Sequence, residues 1–198
     1  MKVAMADPGS GGGVRDRMIA AAADLIGRDG VAAASIGKVL TASRAPRGSI
    51  YHHFPQGRTE LMTAGVRHAG SVMKRRIVDA DGGARPSDRI REIGDFWRRL
   101  LVATDFEFGC PVLAGGLAHT TDPEVAAEAG AILEDWQLGI ADKLVDDGVD
   151  PARAGSLSAL VLSAVEGAVG LCQALRSTEP LDRVVDELGR VCDAAAEG

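Results

Sequence analysis

SIGKVLTASRAPRGSIYHHFPQGRTEL, residues Ser35 to Leu61, decides how the chain reads. Ser35 can cap a short helix through Ala42, because a serine oxygen accepts from a first-turn amide. Ile36, Val39 and Leu40 give that helix one apolar face. Ser43 to Ala45 form a tight connection, and Pro46 opens a second short helix, since its missing N–H is not needed there. Ile50, Tyr51 and Phe54 are expected to anchor this helix. Its other face then carries Arg47, Gly48, Ser49 and His52, short or cationic groups that can approach phosphates and base edges. Pro55-Gln56-Gly57 breaks the chain, and a long helix runs from Arg58 to about Asp79. Upstream, Val14–Arg28 is helical, with Met18, Ile19, Ala22, Leu25 and Ile26 on one face and Gly30 as its stop. Three short helices in this space have the size of a helix-turn-helix module.

The wider composition is that of an ordinary globular chain: 198 residues, 46% hydrophobic and 25% charged. That length fits one large domain or two small ones and can bury a core without disulfides or structural metals. No apolar run of the ~20 residues of a membrane span is read from the sequence, so no membrane partner is expected. Residues 1–13, Gly-rich with Pro8 and Ser10, read as a flexible arm without the apolar stretch of a secretory leader. Cys110, Cys172 and Cys192 are odd in number and widely spaced, which argues against a disulfide framework or a zinc site. A cytoplasmic location is the expectation. The net charge of −6 conceals a split. Residues 1–80 hold twelve Lys or Arg and six Asp or Glu, net +6, whereas residues 81–198 hold ten and twenty-two, net −12. A basic module that meets a polyanion, or a solvated acidic surface on the remainder, would each produce it.

The remaining chain is also helical in pattern. Gly82 to Pro86 is the clearest break and falls at the charge switch. Ser87 is expected to cap a helix with Ile90, Ile93, Phe96, Trp97, Leu100 and Leu101 in register. Thr104 to Pro111 reads as irregular, followed by a short helix to Leu117. Thr121-Asp122-Pro123-Glu124 starts a helix that ends at Gly148. Asp150-Pro151 opens the next, to about Arg176, and Pro180 opens the last. The fold class is therefore all-α with about nine helices. The expected division is an arm (1–13), a helix-turn-helix domain (14–60) and a helical ligand-binding and dimerisation domain (61–198).

The run Arg47-Gly48-Ser49-Ile50-Tyr51-His52-His53-Phe54, followed by a basic residue and Leu61, resembles the DNA-binding domain of the TetR family of bacterial transcription regulators. The APRGSIYHHFP wording, the longer spacing from Phe54 to Arg58 and a later Gly109-Cys110-Pro111 resemble its LmrA/YxaF-type subgroup. The resemblance implies roles. Ser35 would cap its helix and touch phosphate. Arg47, Ser49 and His52 would face the major groove of double-stranded DNA. Tyr51 and His53 would reach its backbone. Gly48 would let the backbone come close, and Arg58 and Thr59 would offer phosphate a helix N-terminus. There are departures: Ser35 stands where Thr is usual, Arg44 where Gly is usual, and Pro46 where Ser is common. If that turn position needs a positive φ, Arg44 carries strain on the order of 1 kcal/mol, or it supplies a phosphate contact.

Two further patterns concern the acidic part. Gly155, Ala159, Ser163 and Gly167 form a smooth stripe along one helix, and Leu181, Val184, Val185 and Leu188 form an apolar one along the last. Both can make a four-helix interface in a homodimer, as in the resembled family, or pack within the chain. A dimer would read two half-sites of a palindromic operator. Five of the seven aromatic residues, Phe96, Trp97, Phe106, Phe108 and Trp136, lie between residues 96 and 136. With Leu100, Cys110, Leu113 and Leu133 they can line a pocket for a small apolar or aromatic effector, or form ordinary core. Glu166, among apolar residues, is a polar anchor for that ligand, a helix-end residue or the partner of an Arg.

No phosphate-binding Gly loop, HExxH or GxSxG motif is present, and His68 and His119 have no telling partner. Adjacent His52 and His53 point about 100° apart on a helix and cannot easily share a metal. Neither an enzyme nor a cofactor is expected. The leading expectation is a homodimeric repressor released from its operator by a ligand. A helical ligand-binding or scaffold protein with a vestigial helix-turn-helix, and a DNA-binding regulator without a ligand, remain the alternatives.

Overall fold

The computed structural model describes residues 13–77 and 85–198. The expected arm and the Gly82–Ala84 part of the break lie outside them. Among the described residues there are nine α-helices and no strand: α1 (Val14–Ala33), α2 (Ile36–Ser43), α3 (Ile50–His53), α4 (Arg58–Ile77), α5 (Pro86–Ala103), α6 (Pro111–Gly116), α7 (Pro123–Asp146), α8 (Pro151–Leu175) and α9 (Glu179–Ala196). A 3₁₀ turn, Arg47–Ser49, precedes α3.

Proline and glycine set most boundaries. Pro86, Pro111, Pro123, Pro151 and Pro180 each stand in the first turn of a helix, where no N–H is missed. Gly30 takes φ 77 and ψ 169, so the regular part of α1 stops there, as its sequence implies. Ser35 caps α2 by accepting from the Lys38 amide at 3.2 Å. Ser87 does not cap α5. It lies inside the helix, and its N–H donates to the Asp193 carboxylate on α9.

The chain forms two compact units, residues 1–72 with 110–133 and residues 73–109 with 134–198. The first is larger than the 14–60 span expected for the helix-turn-helix. Its helix α6 packs on α1, and Gly65 of α4 lies so close to Ala22 and Ala23 that a Cβ there would meet them at 3.0–3.1 Å. Met18, Ala22, Ile26, Val39, Ile50, Phe54, Leu61, Met62 and Val66 make its core. Arg58 ties this core together. Its guanidinium donates to the carbonyl oxygens of Ala34 and Val31, at 3.1 and 2.5 Å, and pairs with the Asp122 carboxylate ahead of α7.

In the second unit α9 packs on α5 and α8. Leu181, Val185, Leu188 and Cys192 face inward, and Val185 sits against Gly94 of α5, which has no room for a side chain. Polar contacts frame that seam: Arg98 with Asp182, and Arg85 with Asp193 and Glu197. Burial tends to raise the Asp193 pKa, but the Ser87 hydrogen bonds, Arg85 and Arg91 hold it below the usual carboxylate value. The three cysteines are buried, and no disulfide joins them. Burial, with Asp193 adding and Arg153 offsetting, pushes the Cys192 thiol up from its ordinary 9.0 to about 11.

Two predictions follow from this packing. Replacing Arg58 by Met strands Asp122 and the Ala34 carbonyl and leaves Val31 O with the Ala34 amide alone, and should lower the unfolding free energy by about 2–3 kcal/mol in urea titrations. The unfolded Cys192 thiol releases its proton before the buried one. Stability should therefore fall as pH rises from 9.0 toward about 11, and Cys192→Ala should flatten that decline.

Candidate functional site

The exposed element of the first unit begins at the end of α2. Arg44 takes the left-handed conformation, φ 54 and ψ 37. Its N–H donates to Thr41, and the Ala45 N–H returns to Leu40 at 3.0 Å, so the last carbonyls of α2 are satisfied. The position does need a positive φ, and Arg44 pays the side-chain penalty that a glycine would avoid. Pro46 is extended, φ −61 and ψ 140, and precedes the 3₁₀ turn rather than opening an α-helix. The presented element is thus one 3₁₀ turn followed by one α-turn. Ser49 Oγ donates to Pro46 O at 2.6 Å and so stitches the start of the element.

Ile50 and Phe54 are buried as expected, but Tyr51 is not an anchor: it is 67% exposed. Its ring lies over Gly57, whose Cβ position is 3.6 Å from it. The aromatic ring is held by contact while its hydroxyl end is left outward. Arg44, Pro46, Arg47, Gly48 and His52 are exposed, Ser49 and His53 half-buried. The Arg44 and Arg47 side chains make no hydrogen bond or ion pair among the described residues. Nothing lies within 4 Å of where a Gly48 Cβ would be, so this backbone is open to approach. His52 and His53 meet edge to face at 4.9 Å, and no cluster of three metal-binding side chains exists among the described residues.

The expectation for Arg58 concerns the N-terminus of the helix it opens. Its guanidinium is committed to Val31, Ala34 and Asp122 and clasps the core, so what Arg58 has left for phosphate is its backbone at the helix start. Half-buried Thr59 and the first-turn amides of α4 keep the helix N-terminus as the feature that favours an anion there. Arg15 and Arg17, on α1, are cations that the motif alone did not single out. Arg15 lies 5.2 Å over the Phe54 ring, and Arg17 donates to Ser43 O at the end of α2. Their place beside the turn follows from how α1 crosses it, which no local spacing encodes.

The expected ligand set divides. Cys110, Leu113 and Leu133 belong to the first unit. Cys110 caps α6, its sulfur accepting from the Leu113 amide at 3.4 Å. Leu113 and Leu133 are half-buried. In the second unit Trp97, Phe108, Trp136 and Glu166 are buried, and Phe96, Leu100 and Phe106 half-buried. Phe96 meets Trp97 edge to face at 5.5 Å. Asp105 and Phe106 both take positive φ, and Arg176 at the end of α8 holds that loop by pairing with Asp105 and lying 5.9 Å over Phe106. Two cavities of this unit lie elsewhere: a cleft of about 280 Å³ lined by Arg85, Arg91, Arg190 and Asp193, and a small one of about 30 Å³ between α5, α7 and α8.

The interface set divides as well. Gly155, Ser163 and Gly167 are exposed on α8 and Ala159 is half-buried. Leu160, Leu171 and Leu175 stand exposed on the same helix, an apolar surface facing away from its own core. Leu181, Val185 and Leu188, by contrast, are inside the subunit against α5 and α8 and have almost no area left for a partner. Val184 alone of the α9 set is half-exposed. By length and hydropathy alone α8 is also apolar enough to cross a membrane, a test that the core helix of a soluble protein passes too. Its inner face is part of a protein core, which accounts for much of that hydropathy.

An open backbone and free cations on a short projecting helix form a surface for a phosphate backbone and a groove, carried on a helical core. The chain belongs to the TetR family of bacterial transcription regulators: residues 18–64 match the model of the family's DNA-binding region. Residues 86–187 match that of the C-terminal domain of LmrA/YxaF-like transcriptional regulators. An HTH-type transcriptional regulator of Mycobacterium tuberculosis is 38% identical, over 89% of this chain and 92% of its own. LmrA of Bacillus subtilis is 26% identical, over 86% and 92%. A TetR regulatory protein of Rhodobacter sphaeroides superposes with a TM-score of 0.79, at 22% identity over 89% and 97% of the two chains. These relatives are named as regulators, not enzymes, and the chain is a transcription regulator with a helix-turn-helix DNA-binding domain.

Arg44→Gly separates the two parts this residue can play. The variant should gain up to about 1 kcal/mol of stability by relieving the left-handed conformation. If Arg44 neutralises a phosphate, the slope of log affinity against log salt for duplex DNA should fall by about one.

Proposed function

We propose that the protein is a repressor that binds a palindromic operator as a homodimer in the cytoplasm and leaves it when a small apolar or aromatic ligand enters the second unit. The observation that carries DNA reading is the pairing of Arg47, Gly48 and Tyr51 on one exposed surface beside an unpaired Arg44. Arg47 would fork onto a guanine edge, Gly48 would let the main chain approach, and Tyr51 and His53 would reach backbone phosphates. Ser49 and His52 would complete the groove-facing set, while Ser35 and Thr59 would lie at helix N-termini near phosphate.

Two turns of helix touch too few base pairs for a specific address, which favours a two-fold dimer. The exposed apolar face of α8 supports it. Leu160 and Leu171 are costly to leave in water, and Gly155, Ser163 and Gly167 let a second helix come close. α9 contributes its half-exposed Val184 and otherwise braces α8 from behind. Release requires a ligand that binds better to a state with wrongly spaced recognition helices. Helices α4 and α7 each run without a break from the first unit into the second, so they are the two helical links, beside the Gly109–Cys110 peptide, through which such a shift would pass.

Selection of bound duplexes from random DNA should yield a palindromic consensus, lost on Arg47→Ala and Tyr51→Ala. Enrichment of a single asymmetric half-site, or none from a folded protein, would refute the operator reading. Leu171→Glu should turn a dimer into a 20.5-kDa monomer in sedimentation and weaken operator binding at least about tenfold.

A further inference from the structure

Trp97 and Trp136 are the chain's two tryptophans, and both are 0% exposed. Neither indole N–H has a hydrogen-bond partner among the described residues. Buried donors without an acceptor are rare and costly in folded proteins, so two in one unit call for an explanation.

The helix register brings them to one level. Arg89 of α5 pairs with Asp147, the residue that follows the last turn of α7, and Ile93 and Ile140 line the same small cavity with Val161 of α8. Residue numbers therefore rise along α5 as they fall along α7. One turn further into the core, Trp97 on α5 comes level with Trp136 on α7. On α8, Arg176 meets Asp105, so α5 and α8 run the same way, and one turn beyond Val161 lie Val165 and the buried Glu166.

We propose that Trp97 and Trp136 are a matched pair of donors for one acceptor oxygen, of the ketone or ester type, on an otherwise apolar ligand. This rests on the ligand-release reading and names the chemistry of that ligand. A carbonyl oxygen has two lone pairs and can accept from both indoles at once. The cavity one turn away holds only about 30 Å³, so the closed core keeps both donors unmet. A ligand gains their hydrogen bonds only in the state that opens to admit it, and that difference in affinity is what release from DNA needs.

The test uses the full-length protein carrying ¹⁵N-labelled tryptophan, whose two indole signals are assigned through Trp97→Phe and Trp136→Phe. Benzophenone and diphenylmethane serve as probes, alike in shape except for the carbonyl. Benzophenone should move both indole protons downfield and bind at least about tenfold tighter than diphenylmethane, and either Phe variant should shrink that ratio. Equal affinity for the two probes, insensitive to the Phe variants, would overturn the donor pair while leaving an apolar ligand pocket standing. Indole signals already far downfield without probe would identify a buried water as the acceptor and overturn it as well. Failure of both probes to move either signal also overturns it; release of the operator by some other compound would then still uphold the wider reading.

Discussion

The Arg58 clasp is the constraint on which the DNA-facing half depends. Gly30 turns the chain sharply, and the residues after it present the carbonyl of Ala34, which continues no helix, beside that of Val31, which the Ala34 amide meets only once. Arg58 supplies planar, fixed donors for both and places its charge against Asp122, a carboxylate with little water around it. One side chain thereby joins the end of α1, the start of α4 and the approach to α7. The orientation of α3 depends on the same joint, because only Phe54 to Gly57 separate it from α4. A lysine could not hold three acceptors in this geometry, since its charge is a point and its donors are not a plane.

The same residue marks the limit of what could be read from sequence. The sequence marks Arg58 as the opening of a helix whose N-terminus suits phosphate, and the local pattern contains nothing to announce that its guanidinium turns inward. Its partner Asp122 lies 64 residues away, ahead of a helix that belongs to the first unit only through tertiary packing. By contrast, Ser35, Gly30, Gly148 and the helix-opening Pro123, Pro151 and Pro180 act within a turn or two of themselves. Local chemistry decides them, and the boundaries they imply were legible, whereas the sequence reads Pro86 as part of the break and Ser87 as the cap. Tyr51 falls between. Its place beside Ile50 and one turn from Phe54 implied burial, but neighbours on a helix point about 100° apart, and the face that buries Ile50 and Phe54 leaves Tyr51 to one side.

The two stripes of the second unit show a different limit. An apolar face announces that something covers it, not what. On α9 the demand is met inside the chain, since Leu181, Val185 and Leu188 fit against α5, where Gly94 makes room for Val185. Its outward face, with Arg183, Asp186, Glu187 and Arg190, is charged and suits water. α8 is apolar on both sides. One side covers the core with Leu157, Val161, Val165 and Val169, and the other still shows leucines. A helix that is apolar all round is buried all round, and the chain supplies a cover for one side only.

That asymmetry bears on how binding of a ligand and binding of DNA could be coupled. α8 presents one face to the proposed partner subunit and carries Glu166 on the other, at the level of the two buried indoles. Any rearrangement that admits a ligand to that layer has to move α5, α7 or α8. Moving α8 disturbs the surface on which two subunits would set the spacing of their recognition helices. α7 is continuous in sequence with the segment that carries Asp122, the partner of Arg58, so under the proposed release a shift of α7 would reach that pair. Close-packed helices shift between discrete arrangements rather than deform by degrees, which would make such a response sharp.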